Sequence, residues 1–121
     1  MEVKSYRDLV AWQKAMELVV AVYALSHALP REEIYGLTSQ MRRAAVSVPS
    51  NIAEGQGRAS RGEFRNHLGI AYGSLMELET QLILAQRLGY VRPTQIEGTV
   101  ASAAEVGRLI NGLSNALSRP N

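Results

Sequence analysis

Cysteine is absent from the 121 residues. That removes disulfides, thiolate nucleophiles, thiolate-bound zinc and covalently attached haem, and leaves packing or subunit association to supply stability. Histidine is nearly absent too. With His27 and His67 alone, the two Glu-x-x-His motifs of a di-iron helical bundle cannot be assembled, and Glu63 to His67 has the wrong spacing. No segment approaches the roughly 18 uninterrupted apolar residues of a membrane span, and Met1–Ser5 lacks a cationic stretch leading into an apolar run. A soluble, cytoplasmic protein with no membrane partner is expected. Gly-x-Ser-x-Gly and a plausible Ser/His/Asp set are missing. Gly55, Gly57 and Gly62 follow no strand and lack the lysine and hydroxyl of a P-loop. The chain is therefore expected to be no enzyme and to hold no metal or cofactor.

What is present is helical periodicity. A chain that is 46% hydrophobic and 20% charged suits one domain over residues 1–121, and four helical patterns with no convincing strand make it all-α. Ser5 with Asp8 gives an N-cap signal for the first helix. Its apolar stripe is Leu9, Trp12, Met16, Val19, Val20 and Tyr23, with a second line of Leu18, Val22, Leu25 and Leu29, and Pro30 ends it. Two lines are more than one bundle seam needs, which points to an oligomer. The second pattern runs from about Gly36 to Gly55 along Leu37, Met41, Ala44, Ala45, Val48 and Ile52. Pro49 removes one backbone donor there, and because Ile52 and Ala53 keep the period, a kink without a break is expected.

Ser60 and Glu63 form a capping box for the third helix. Phe64, Leu68, Ala71, Leu75, Leu78, Leu82 and Ala85 then alternate four and three apart, as in a knobs-into-holes seam, and Gly89 supplies a left-handed cap. Pro93, Thr94 and Glu97 open a fourth helix carrying Ile96, Val100, Ala103, Val106, Ile110, Leu113 and Leu117. Gly98, Gly107 and Gly112 each cost it about 1 kcal/mol relative to alanine, so it depends on docking. Short connections imply an antiparallel up-down-up-down four-helix bundle. Gly69 and Gly73, one turn apart, suit a close helix approach. Asn51 and Ser50 suit backbone groups freed around Pro49. Trp12 and Tyr23 read as core or interface anchors in preference to base-stacking platforms.

Leu9–Ser26, Tyr35–Arg58 and Ile70–Val91 resemble the four-helix-bundle family of rRNA intervening-sequence proteins, in order from about Tyr6 to Val91. The resemblance implies an antiparallel four-helix protomer assembling into a homopentameric ring. The family takes its name from reading frames inside insertions in large-subunit rRNA genes. The chain is also similar to the accessory variability proteins of diversity-generating retroelements, which form basic pentamers working with a reverse transcriptase and nucleic acid; that likeness implies a protein partner of this kind.

Charge bears on the partner. From Gly36 to Gly62, Arg42, Arg43, Arg58 and Arg61 stand against a single acid, Glu54, and eleven of the thirteen basic residues in the chain are arginine. The guanidinium fork suits phosphate oxygens, and Arg58, Arg61 and Arg65 flank the expected start of the third helix, where free N–H groups favour an anion. Arg42, Arg43, Arg58, Arg61 and Arg65 are thus candidate RNA- or DNA-binding residues. The alternative is a protein-interaction scaffold in which these arginines make structural or intersubunit ion pairs. Glu77 and Glu79, on different sides of a helix, form no carboxylate pair.

Overall fold

Each of the four periodic segments forms a helix. A computed structural model of the chain describes residues 5–119; Met1–Lys4, part of the N-terminal reading, lie outside it. The helices are α1 (Val10–Ser26), α2 (Leu37–Gln56), α3 (Arg61–Arg87) and α4 (Pro93–Ser118), with short 3-10 turns at Tyr6–Asp8 and Arg31–Glu33 and no strand among the described residues. Close backbone approaches run α1 to α2, α2 to α3, α3 to α4 and α4 back to α1, and among the described residues neither α1 with α3 nor α2 with α4 comes as near. The buried side chains of all four helices form one continuous cluster.

The α2 and α3 stripes are core as their spacing requires. Leu37, Met41, Ala44, Ala45, Val48 and Ile52 are buried on α2, as are Leu68, Ala71, Leu75, Leu78, Leu82 and Ala85 on α3, while Phe64 is half-buried. A leucine fully withdrawn from water stabilises the fold by about 1.5–3 kcal/mol. α2 stays helical through Pro49, which is itself buried.

On α1 it is the second of the two apolar lines that packs inward. Its inward line is Ala11, Ala15, Leu18, Val22 and Ser26, with Leu29 beyond, whereas Met16, Val20 and Tyr23 are exposed and Trp12 and Val19 half-buried. Both lines have helical spacing, and the one with small residues lets α1 sit close to its neighbours. The Ser5–Asp8 box is formed, but it caps the 3-10 turn, and α1 begins after Leu9 without a side-chain cap.

At α3, Ser60 Oγ accepts the Glu63 N–H at 3.1 Å, and the Glu63 carboxylate meets the Ser60 hydroxyl at 3.3 Å. α4 is capped through Arg92, whose N–H is taken by Gln95 Oε1 at 2.7 Å, with Pro93 next; the Thr94–Glu97 pair is not the cap. Val100 is exposed, and Leu113 and Leu117 are half-buried. Gly89 adopts a φ of 80°, the left-handed conformation glycine reaches without a Cβ penalty, and the Tyr90 N–H closes back on the Ala85 carbonyl at 2.9 Å.

Glu33 performs a task that no sequence signal marked. Its Oε1 accepts the Leu37 N–H at 3.0 Å, satisfying a free donor of α2, and its Oε2 accepts the Tyr90 hydroxyl at 2.7 Å. The Leu37 N–H, then the Tyr90 hydroxyl, hold the Glu33 carboxyl below its ordinary value; the bond to Glu33 raises the Tyr90 phenol.

Candidate functional site

The five arginines fall into two places along the chain. Arg42 and Arg43 sit in the first half of α2, while Arg58, Arg61 and Arg65 surround the α2–α3 connection. At about 1.5 Å rise per residue, Arg43 and the C-terminal end of α2 are separated by roughly 20 Å of helix.

Arg42 is half-buried. Its Nε donates to Ser26 Oγ at 2.9 Å, and its guanidinium carbon lies 4.8 Å from the centre of the Tyr23 ring. Ser26 in turn donates to the Tyr23 carbonyl at 2.8 Å. This cluster fastens α1 to α2. Arg43, the next residue, is exposed and has no hydrogen bond or ion pair to any described residue.

At the connection, Arg58 pairs with Glu54 one turn back at 2.6 Å, both side chains being about half exposed, and Arg61 donates to the Arg119 carbonyl at 3.2 Å. Arg65 is exposed and, among the described residues, unpartnered. All three stand around the start of α3, and the first turn of that helix also carries Glu63.

A polar seam between α2 and α3 escaped the sequence reading. Ser47 and Ser74 hydroxyls meet at 2.8 Å; Asn51 Nδ2 donates to Ser47 Oγ at 3.0 Å and to the Ser47 carbonyl at 2.9 Å; Asn51 Oδ1 lies 3.3 Å from His67 Nδ1. His67 Nε2 is 3.6 Å from Glu54, which also holds Arg58. Asn51 therefore serves the Ser47 carbonyl, whereas the group deprived of its donor by Pro49 is the Ala45 carbonyl. Seven-residue spacing of Ser74 and His67 on one helix, matched by the four-residue spacing of Ser47 and Asn51 on the other, was the available signal.

Gly55 permits this approach. A Cβ there would stand 2.7 Å from His67 Cβ, 3.0 Å from the Phe64 ring and 3.2 Å from the Phe64 carbonyl. Gly69 and Gly73, expected at a close helix approach, are exposed with open space around the missing Cβ. Among the described residues no neighbour requires a glycine at either position.

Between α1 and α2 the outward-facing α1 stripe makes an apolar trough. One part, about 540 Å³, is lined by Trp12, Met16, Val19, Val46 and Pro49; the adjoining part, about 480 Å³, runs from Val46 to Tyr23 and Ile34 and is walled also by Arg42, Arg43 and Ser47. Val20 beside it is 70% exposed. No helix among the described residues is long and apolar enough to cross a membrane, and no three His, Asp or Glu residues there are grouped as metal ligands.

The profile of the 23S rRNA-intervening sequence protein family matches residues 7–112. Among solved structures, a protein of unknown function from the S23 ribosomal protein family of Bacteroides thetaiotaomicron is similar at 28% identity and a TM-score of 0.80, covering 87% of this chain and 98% of that one. No curated protein matches the chain.

Proposed function

The chain belongs to the 23S rRNA-intervening sequence protein family, and from that membership we propose that it is a non-enzymatic, cytoplasmic protein that assembles with copies of itself into a scaffold. The observation that carries this reading is the apolar trough between α1 and α2. Met16, Val20, Tyr23, Ile34 and Val46 are each 40% exposed or more, contiguous with half-buried Trp12, and each aliphatic among them returns about 1–2 kcal/mol when a partner covers it. A second copy is the occupant. A head-to-tail contact repeated about one axis closes a ring, and five copies is the number the family resemblance implies.

The same reading takes the protomer as an antiparallel up-down-up-down bundle. The pairings of Ser47 with Ser74, Asn51 with His67 and Gly55 with Phe64 support it, since positions rise along α2 as they fall along α3. Pro49, lacking its N–H, supports a bend in α2.

Light scattering on the eluting protein tests the assembly. The wild type is expected at the mass of five chains, and Val20→Asp, which places a charge at an exposed position, at that of one chain with unchanged helical circular dichroism. A monomeric wild type at micromolar concentration would overturn the proposal.

Phosphate capture is the second reading, favoured by the clustering of Arg58, Arg61 and Arg65 around the start of α3, with Arg43 adding an exposed guanidinium. Fivefold repetition would multiply a modest patch. RNA or DNA would then be bound with little sequence preference, and a reverse transcriptase is the protein partner that the likeness to retroelement accessory proteins implies. Arg42, tied to Ser26 and Tyr23, supports the scaffold reading instead.

A further inference from the structure

The outer side of the α2–α3 seam holds a cavity of about 370 Å³ lined by Gln40, Arg43, Ser47, Ser74, Glu77 and Gln81. Its volume falls at the lower end of the roughly 300–1,000 Å³ of small-molecule sites. Helical spacing puts the lining together. Gln40, Arg43 and Ser47 lie three and four apart on α2, and Ser74, Glu77 and Gln81 do the same on α3.

The hydrogen-bonding capacity of this lining is unspent in both senses. Arg43 and Glu77 are exposed at the cavity, no ion pair joins them, and neither has another partner among the described residues. Gln81 is only 7% exposed, and its Oε1, out of reach of solvent, has no hydrogen-bond partner among the described residues. Leaving such a group unpaired costs about 1–3 kcal/mol.

The two serines add a donor. Two hydroxyl hydrogens are present, and the 2.8 Å contact between the oxygens uses one of them. Asn51 acts on Ser47 Oγ as a donor, so it consumes no hydroxyl hydrogen. One O–H at the cavity wall therefore remains without an acceptor, whichever serine carries it.

A bare anion in this space would meet Glu77, and a bare cation would meet Arg43. A molecule carrying both charges satisfies both. We propose that the cavity binds a small zwitterion of the α-amino-acid class, its carboxylate held by Arg43 and the free serine hydroxyl, its ammonium group by Glu77. The site shares Arg43 and Ser47 with the wall of the apolar trough and lies apart from the arginines at the α2–α3 connection.

Isothermal titration of the full chain with glycine and with L-glutamine tests this, with acetate and methylamine as single-charge controls. Saturable binding of at least one amino acid is expected, with neither control binding measurably. Arg43→Gln and Glu77→Gln should each weaken it roughly tenfold or more, the loss of one charged contact, with circular dichroism and melting temperature unchanged. No saturable heat from either amino acid, equal binding of acetate or methylamine, or unaltered affinity in both charge variants would overturn the proposal. So would a change of oligomeric mass in Arg43→Gln and Glu77→Gln without amino-acid binding to the wild type, which would give the cavity to a subunit contact.

Discussion

Tyr90 donates its hydroxyl to Glu33 Oε2 at 2.7 Å, so the connection between α3 and α4 is fastened to the connection between α1 and α2. The same carboxylate holds the first N–H of α2. One acid therefore ends a helix and ties two loops that are 57 residues apart in sequence.

This arrangement makes stability depend on pH at both extremes. Glu33 is depressed in the folded state, so its contribution is present above the ordinary carboxyl range and is lost as pH falls through the depressed folded value. Tyr90 is raised, so its contribution is complete below the phenol's ordinary value of about 10 and is lost as pH climbs through the raised folded one. Tyr90→Phe should lower the melting temperature at neutral pH and abolish the Tyr90 share of the alkaline loss. The acid limb should become shallower but survive, because the Leu37 N–H still depresses Glu33. Melting temperature against pH for both proteins checks this, and identical alkaline limbs would contradict it.

Core truncation should be costly on α3. Leu75 and Leu78 are wholly buried, and replacing either with alanine removes its transfer energy and leaves a cavity, together about 2–5 kcal/mol. Denaturant unfolding measures the loss, and a midpoint unchanged from wild type would defeat the core assignment.

Glycines in helices should respond in opposite directions. At Gly55 the added methyl meets His67 and the Phe64 carbonyl, so Gly55→Ala should cost about 1–3 kcal/mol and loosen the contact of Asn51 with His67. At Gly98 nothing lies within 4 Å, and Gly98→Ala should stabilise by about 0.5–1 kcal/mol through helix propensity. Paired denaturation curves decide it; a shared sign would show that local packing is not what separates the two sites.

These examples mark how far the sequence reaches. Periodicity sufficed for α2 and α3, where large aliphatic residues occupy one line and polar residues the rest. It left the inward face of α1 open, because two apolar lines compete there: Leu18 and Val22 pack inward beside Ala11 and Ala15, while Trp12, Met16, Val20 and Tyr23 are left at least partly outside. Capping residues were legible in place at Ser60 and Gly89 but only as chemistry elsewhere, since Ser5 and Asp8 cap a 3-10 turn and Arg92 with Gln95 displaces Thr94 with Glu97. The contacts of Glu33 with Tyr90 and of Asn51 with His67 join distant segments, and a single sequence carries no record of which segments meet. The candidate arginines were visible as a charge cluster. Their partners, Ser26, Tyr23, Glu54 and the Arg119 carbonyl, became visible only with the fold.

Those partners give the arginines separable roles. Arg42 bonds Ser26 and covers the Tyr23 ring, and removing it forfeits a hydrogen bond and a cation–π contact worth about 1–2 kcal/mol together; Arg42→Ala should therefore lower stability. Arg58→Ala combined with Arg65→Ala breaks one half-exposed ion pair, a small term, and should leave the melting temperature nearly unchanged. If phosphate capture operates, the double variant should bind single- and double-stranded RNA and DNA more weakly. Because each phosphate contact contributes about 0.7–0.9 to the slope of log affinity against log salt, the slope should become shallower by about 1.4–1.8 per protomer. Binding measured across a salt series separates the two readings. A steep wild-type slope that flattens in the variant favours a phosphate-binding surface, whereas no wild-type binding even at low salt removes that reading and leaves self-assembly through the α1–α2 trough as the function to pursue.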